Sequence, residues 1–174
     1  MNRSGKAAGG CVVGAILAIV VSLAPGLQIS GEGLQMLADL EGCERAAYQC
    51  SADTWTVGIG HTIGITEGGI LSDDNIAQYL VTDVRSAERA VNRYIKVPLT
   101  QGQFDAFTSF VFNVGQGNFR HSTLVRRLNA GEGLEACDEL KRWVFVSGKD
   151  CRFPESNCAG IVKRRQLEYQ RCRS

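Results

Sequence analysis

An uncharged run of 21 residues, Ala7 to Leu27, opens the chain and divides it in two. Arg3 and Lys6 are the only charges before Glu32. As a helix rising about 1.5 Å per residue, the run would reach roughly 31 Å, close to one hydrocarbon core. Its positive end would stay in the cytoplasm and the rest of the chain would be exported. Yet ten of the 21 residues are Ala, Gly or Ser, so such a helix holds to lipid by a small margin. Three fates are open. Ser22-Leu23-Ala24 has the small-x-small form of a peptidase site, although Pro25 directly after it hinders cleavage. A permanent anchor would call for more Leu, Ile, Val and Phe. A releasable anchor suits the weak apolarity. The expected division is a membrane segment over residues 1–30 and a folded domain over 31–174.

The second part is long enough to bury a core. With 19 basic and 18 acidic residues, a net charge of +1 and 44% hydrophobic residues, the composition is globular. It excludes a disordered chain, a collagen-like chain and a coiled coil. Near-neutrality argues against a general nucleic-acid binder. Seven cysteines point to an oxidising compartment, and their odd number leaves one thiol unpaired in any monomer.

Periodicity predicts an α+β domain, with a small β-sheet near its start and a helical body after it. Leu34, Leu37 and Leu40 mark a short helix ending near Gly42. Tyr48 to His61 alternates as a strand, with Trp55, Val57 and Ile59 on one face, after a turn at Ser51-Ala52-Asp53. Ser72 caps a long helix carrying Ile76, Leu80, Val84, Ala87, Val91 and Ile95, closed by Pro98. Thr100 and Gln103 form a capping box for a helix that buries Phe104, Phe107, Phe110 and Val111 and ends at Gly115. Ser122 caps a short helix ending near Gly131, and two more helices cover 134–144 and 161–171. A loop from Ser147 to Gly160 separates them.

The chemistry gathers between Glu41 and His61. A helix end at Glu41, a turn at Cys50 and a strand at Thr56 can converge on one cleft. A carboxyl at the edge of an apolar helix face is favoured in its protonated form, which suits a general acid. On these grounds alone a Glu near a helix end is more often a solvated surface residue.

The order Glu41, eight residues, Cys50, five residues, Thr56, then Val57-Gly58-Ile59-Gly60-His61 resembles the active-site segment of the phage-type lysozymes, glycoside hydrolase family 24. The resemblance continues through Leu99–Phe107, Ser109-Phe110, Phe112–Gly115, Ser122–Leu124, Leu128–Gly131, and Arg164-Arg165 with Glu168. It covers nearly all of Glu32 to Cys172. It implies a lysozyme-like fold and a muramidase acting on the β-1,4 bond between N-acetylmuramic acid and N-acetylglucosamine of peptidoglycan. By the same resemblance Glu41 is the general acid, Cys50 and Thr56 hold the attacking water, and the anomeric centre inverts. Inversion sets Glu41 and the group at position 50 roughly 6.5–9.5 Å apart. One of Arg164 and Arg165 pairs with Glu41; the sequence does not say which. His61 reads as a structural hydrogen-bonding residue near the cleft. Most family members have Asp where this chain has Cys50, and a thiol with a pKa of about 8.5 is a poorer base than a carboxylate.

The cysteines resemble those of a subgroup, the signal-arrest-release endolysins, in which a caged catalytic Cys is freed by a Cys of the membrane segment. The resemblance implies a Cys43–Cys50 cage. Once Cys11 leaves the bilayer its thiol would attack Cys43, giving Cys11–Cys43 and freeing Cys50. Exchange needs a thiolate, which lipid suppresses. The other four cysteines read as structural, as Cys151–Cys158 and Cys137–Cys172, with alternative pairings open. No Cys-x-x-Cys occurs and there are two histidines, so no metal is expected, nor any cofactor.

The expectation is therefore a monomeric endolysin that causes host cell lysis. It would be held at the host inner membrane by its N-terminal segment and released to the periplasm, with glycan strands as partner. Two alternatives stand beside it: a lytic transglycosylase, and an inactive membrane-tethered wall-binding module. The basic stretch from Lys141 to Ser174 suits an anionic wall or leaflet and equally a solvated helix face.

Overall fold

A computed structural model describes residues 10–49 and 54–174. Cys50, the expected turn at Ser51-Ala52-Asp53 and the start of the N-terminal run, with Arg3 and Lys6, lie outside the described residues. The chain divides into two compact units. One comprises residues up to Gly26 with Ala38–Asp83, and the other comprises Leu27–Leu37 with Val84–Ser174.

The first unit opens with helix α1, Val13–Leu23. Ile16, Val20 and Ala24, one turn apart, are buried, while Val12, Val21 and Leu23 are exposed. Only one stripe of this uniformly apolar helix is covered. No described helix is long and apolar enough to cross a membrane. Helix α2, Gly31–Glu41, is followed by Gly42 at φ +73°, a left-handed position that stops a helix where glycine costs least.

Strands β1, Glu44–Gln49, and β2, Trp55–Gly58, pair antiparallel with Tyr48 opposite Thr56. The expected strand to His61 ends earlier, at Gly58. There Gly58 and Gly60 take positive φ and fold the chain back, so that Val57 and His61 exchange hydrogen bonds of 2.9 and 3.1 Å. Nor does β2 alternate as expected, because Thr56, Val57 and Ile59 are all buried. Helix α3, Asp73–Tyr94, takes its start from Ser72, whose Oγ accepts from the Asn75 amide at 3.3 Å. Arg45 of β1 ties that start down, with 2.7 Å from Nη2 to Asp73.

The second unit is helical. Helix α4, Gln101–Arg120, begins with the expected Thr100–Gln103 capping box, and its first helical stretch ends at Gly115 as expected, where a kink joins it to a second stretch. At φ +79° and ψ 155°, Gly115 breaks the helical geometry for one residue before the chain resumes it. Helices α5, Thr123–Asn129, α6, Gly133–Leu140, and α7, Ala159–Cys172, follow. Helix α6 stops four residues short of the expected 144. The expected loop contains the hairpin partner β4, Lys149–Asp150, paired with β3, Phe145–Val146, and then a 3-10 turn at Pro154–Ser156. The core joins Val91, Phe104, Phe107, Phe110, Phe119, Leu124, Leu128 and Leu140, with the Phe110 and Trp143 ring centroids 5.2 Å apart edge to face. Disulfides join Cys137 to Cys172 and Cys151 to Cys158.

Two carboxylates fasten the segment before α2 to this unit. Glu88 accepts from the amides of Gln28 and Ile29 at 2.7 and 2.8 Å. Fully buried Asp105 accepts from the Ser30 amide and hydroxyl at 2.9 and 2.6 Å and from Arg171 at 2.6 Å. Ser30 also caps α2, its Oγ accepting from the Gly33 amide at 3.0 Å.

Candidate active site

Glu41 is the last residue of α2, and β1 starts three residues later. Its half-buried side chain lies against Gly60, close enough that a Cβ there would sit 2.8 Å from Oε2. A side chain there would push the carboxylate aside, and the φ of +75° itself favours glycine. The Gly58-Ile59-Gly60 pattern thus serves the turn and the carboxylate.

His61 holds that turn. Its Nδ1 lies 2.6 Å from Asp83 Oδ2 and its Nε2 3.0 Å from the Ile63 carbonyl. Its ring stacks on Tyr79 with centroids 4.1 Å apart. With both nitrogens engaged, the imidazole acts as a strut. Burial pushes the Asp83 carboxyl up from its ordinary pKa, opposed by the hydrogen bond and charge of His61. Thr56 is 6% exposed on β2, and its hydroxyl reaches the Thr54 carbonyl at 3.3 Å.

Cys43, between α2 and β1, is bonded to Cys11. The Cys11 amide donates to the Cys43 carbonyl at 3.5 Å, and Gly10 bridges to Glu44, so the chain before α1 runs beside the start of β1.

In the second unit Arg164 and Arg165 converge on Glu168. Glu168 is fully buried, accepting from Arg164 Nε at 3.1 Å, from Ser109 Oγ at 2.9 Å and from Arg165 Nη1. Arg165 also donates to the Asn113 side chain and to the Trp143 carbonyl, and lies 5.0 Å from the Phe110 ring centroid. The structure thus brings Glu41 to the turn held by His61, and gathers both arginines around one carboxylate. Sequence reasoning missed Asp83, Tyr79 and the role of Gly60. The two glycines were a visible signal, whereas Asp83 is one polar residue within a long helix. Among the described residues no group of His, Cys, Asp and Glu could hold a metal ion.

A helix delivering a carboxylate to a small antiparallel hairpin, followed by a mainly helical unit, defines a lysozyme-like protein. The phage lysozyme family profile matches residues 38–168. An endolysin of Acyrthosiphon pisum secondary endosymbiont phage 1 is 39% identical over 144 residues, 82% of this chain and 95% of the relative. A SAR-endolysin of Enterobacteria phage PA-2 is 37% identical over 134 residues, 76% of this chain and 77% of the relative. The crystal structure of the active form of P1 phage endolysin Lyz superposes with a TM-score of 0.83 at 28% identity, covering 96% of each chain. The chain belongs to the phage lysozyme family, and it is a glycosidase of the lysozyme type.

Proposed function

We propose that the chain is a phage endolysin that hydrolyses the β-1,4 bond between N-acetylmuramic acid and N-acetylglucosamine in bacterial peptidoglycan, and so lyses the host. The observation that carries this reading is the Glu41 carboxyl seated against Gly60 in a turn fixed by His61 and Asp83. A general acid must be held in one place relative to the glycosidic oxygen it protonates. Thr56 and Cys50 would bind the water that attacks from the opposite face. The reaction then inverts the anomeric centre through an oxocarbenium-like transition state.

Hydrolysis of purified glycan strands is expected to release new reducing ends, first in the α configuration, read by proton NMR during the first turnovers. Products carrying 1,6-anhydro sugars would make the enzyme a transglycosylase instead.

The N-terminal run would insert in the host inner membrane as a weak anchor, then leave it for the periplasm. The bond between Cys11 and Cys43 supports a released state, since a Cys43 bonded to Cys11 has no bond to give Cys50. In the exchange the Cys11 thiolate attacks the Cys43 sulfur, and Cys50 departs as the thiolate. Two electrons stay shared in one disulfide, and no external oxidant is consumed. The Cys11→Ser enzyme is therefore expected to stay inactive in a lysis assay until a reductant is added. Full activity without reductant would dismiss the exchange.

A further inference from the structure

Helix α3 carries Arg85, Arg89 and Arg93 at one-turn intervals, all exposed. Like charges four residues apart repel and weaken a helix, so such a row does nothing for the fold by itself. The acidic residues that could answer it are engaged elsewhere. Asp73 binds Arg45 at 2.7 Å, Asp83 binds His61 at 2.6 Å, and Glu88 binds the Gln28 and Ile29 amides. Among the described residues none of the three arginines has a carboxylate partner.

A cavity of about 570 Å³ opens beside this row, lined by Ser86, Arg89, Ala90, Asn92, Arg93 and Gln116. Its size falls within the range of small-ligand clefts. Gln116 follows the Gly115 kink, so the break in α4 lies at one wall of the cavity. The lining combines two guanidinium groups with two amides and a hydroxyl, and its one apolar side chain is Ala90. That set suits a chain of carboxylates and amides. It does not suit a bilayer surface, which would call for apolar side chains among the cations.

We propose that the cavity formed by α3 and the segment after Gly115 binds the carboxylate-bearing peptide stems of peptidoglycan. Arg89 and Arg93 would each take a carboxylate, Asn92 and Gln116 would bond stem amides, and Arg85 would extend the field along the helix. This rests on the reading of peptidoglycan as substrate and deepens it. The contact would capture the wall by its peptides, apart from the bond that is cut. Guanidinium–carboxylate pairs are charge-assisted and directional, and at an exposed site they weaken with salt.

The test compares the Glu41→Gln chain with a Glu41→Gln/Arg89→Gln/Arg93→Gln chain by co-sedimentation with purified sacculi in the cold. Keeping Glu41→Gln in both separates the outcome from the catalytic reading. Removing the two charges is expected to weaken binding to intact sacculi about tenfold at low salt and to flatten its salt dependence. The difference is expected to disappear on glycan strands stripped of stems by an amidase. Equal binding of both chains to intact sacculi would overturn the proposal. So would a difference that persists on stripped strands, or competition by vesicles of anionic phospholipid. Failure of the unaltered enzyme to cut glycan at all would refute the lysozyme reaction and leave the binding result standing.

Discussion

Glu41→Gln is expected to lower turnover on sacculi by at least about a hundredfold, the scale at which one positioned proton donor contributes. The amide keeps the shape that rests on Gly60 but has no proton to give the leaving oxygen. Glu41 closes α2 with its side chain against Gly60, so a glutamine of the same shape tests the proton apart from the position. Turnover measured by reducing-end release, with thermal unfolding on the same preparation, reads both. A Gln variant that retains a tenth of the activity would remove Glu41 as the acid.

Glu168→Gln is expected to destabilise the protein by about 3–5 kcal/mol, the usual cost of taking one partner from a buried ion cluster. Glu168 is fully buried, and Arg164 and Arg165 are 4% and 2% exposed, so the two guanidinium groups would lose their shared counter-charge out of reach of water. The loss passes through Ser109 on α4 and Arg165 on α7, which are held together through this carboxylate. At roughly 2–4 °C per kcal/mol for a domain of this size, the midpoint would fall by about 10 °C. Urea unfolding should show a lower midpoint with an unchanged slope. A change below about 1 kcal/mol would mean that the arginines find other acceptors and that the cluster is not a keystone of the helical unit.

What the sequence disclosed follows from how locally each feature is encoded. Thr100 with Gln103, and Ser122 ahead of α5, place caps within four residues, and the structure has both. The long apolar period of α3 is local in the same way. Strand β1 left no such trace, because Glu44–Gln49 is exposed or half-exposed along its length and has no buried face to impose a period of two. The two-residue strands of the second hairpin are too short to carry any period. The N-terminal run shows a different limit. Continuous apolarity fits lipid and fits a covered helix equally, and only the tertiary structure shows which stripe of α1 is covered. The pattern did disclose that Glu41 closes a helix, that Thr56 lies on a strand and that His61 is a hydrogen-bonding residue. Asp83 was not legible, because its contact with His61 joins residues 22 apart in sequence.

The grip of Glu88 and Asp105 on residues 28–30 has a mechanical consequence. By accepting from the amides of residues 28–30, the two buried carboxylates hold the approach to α2 against α3 and α4, so loss of either would unfasten that approach before it disturbed the helices themselves.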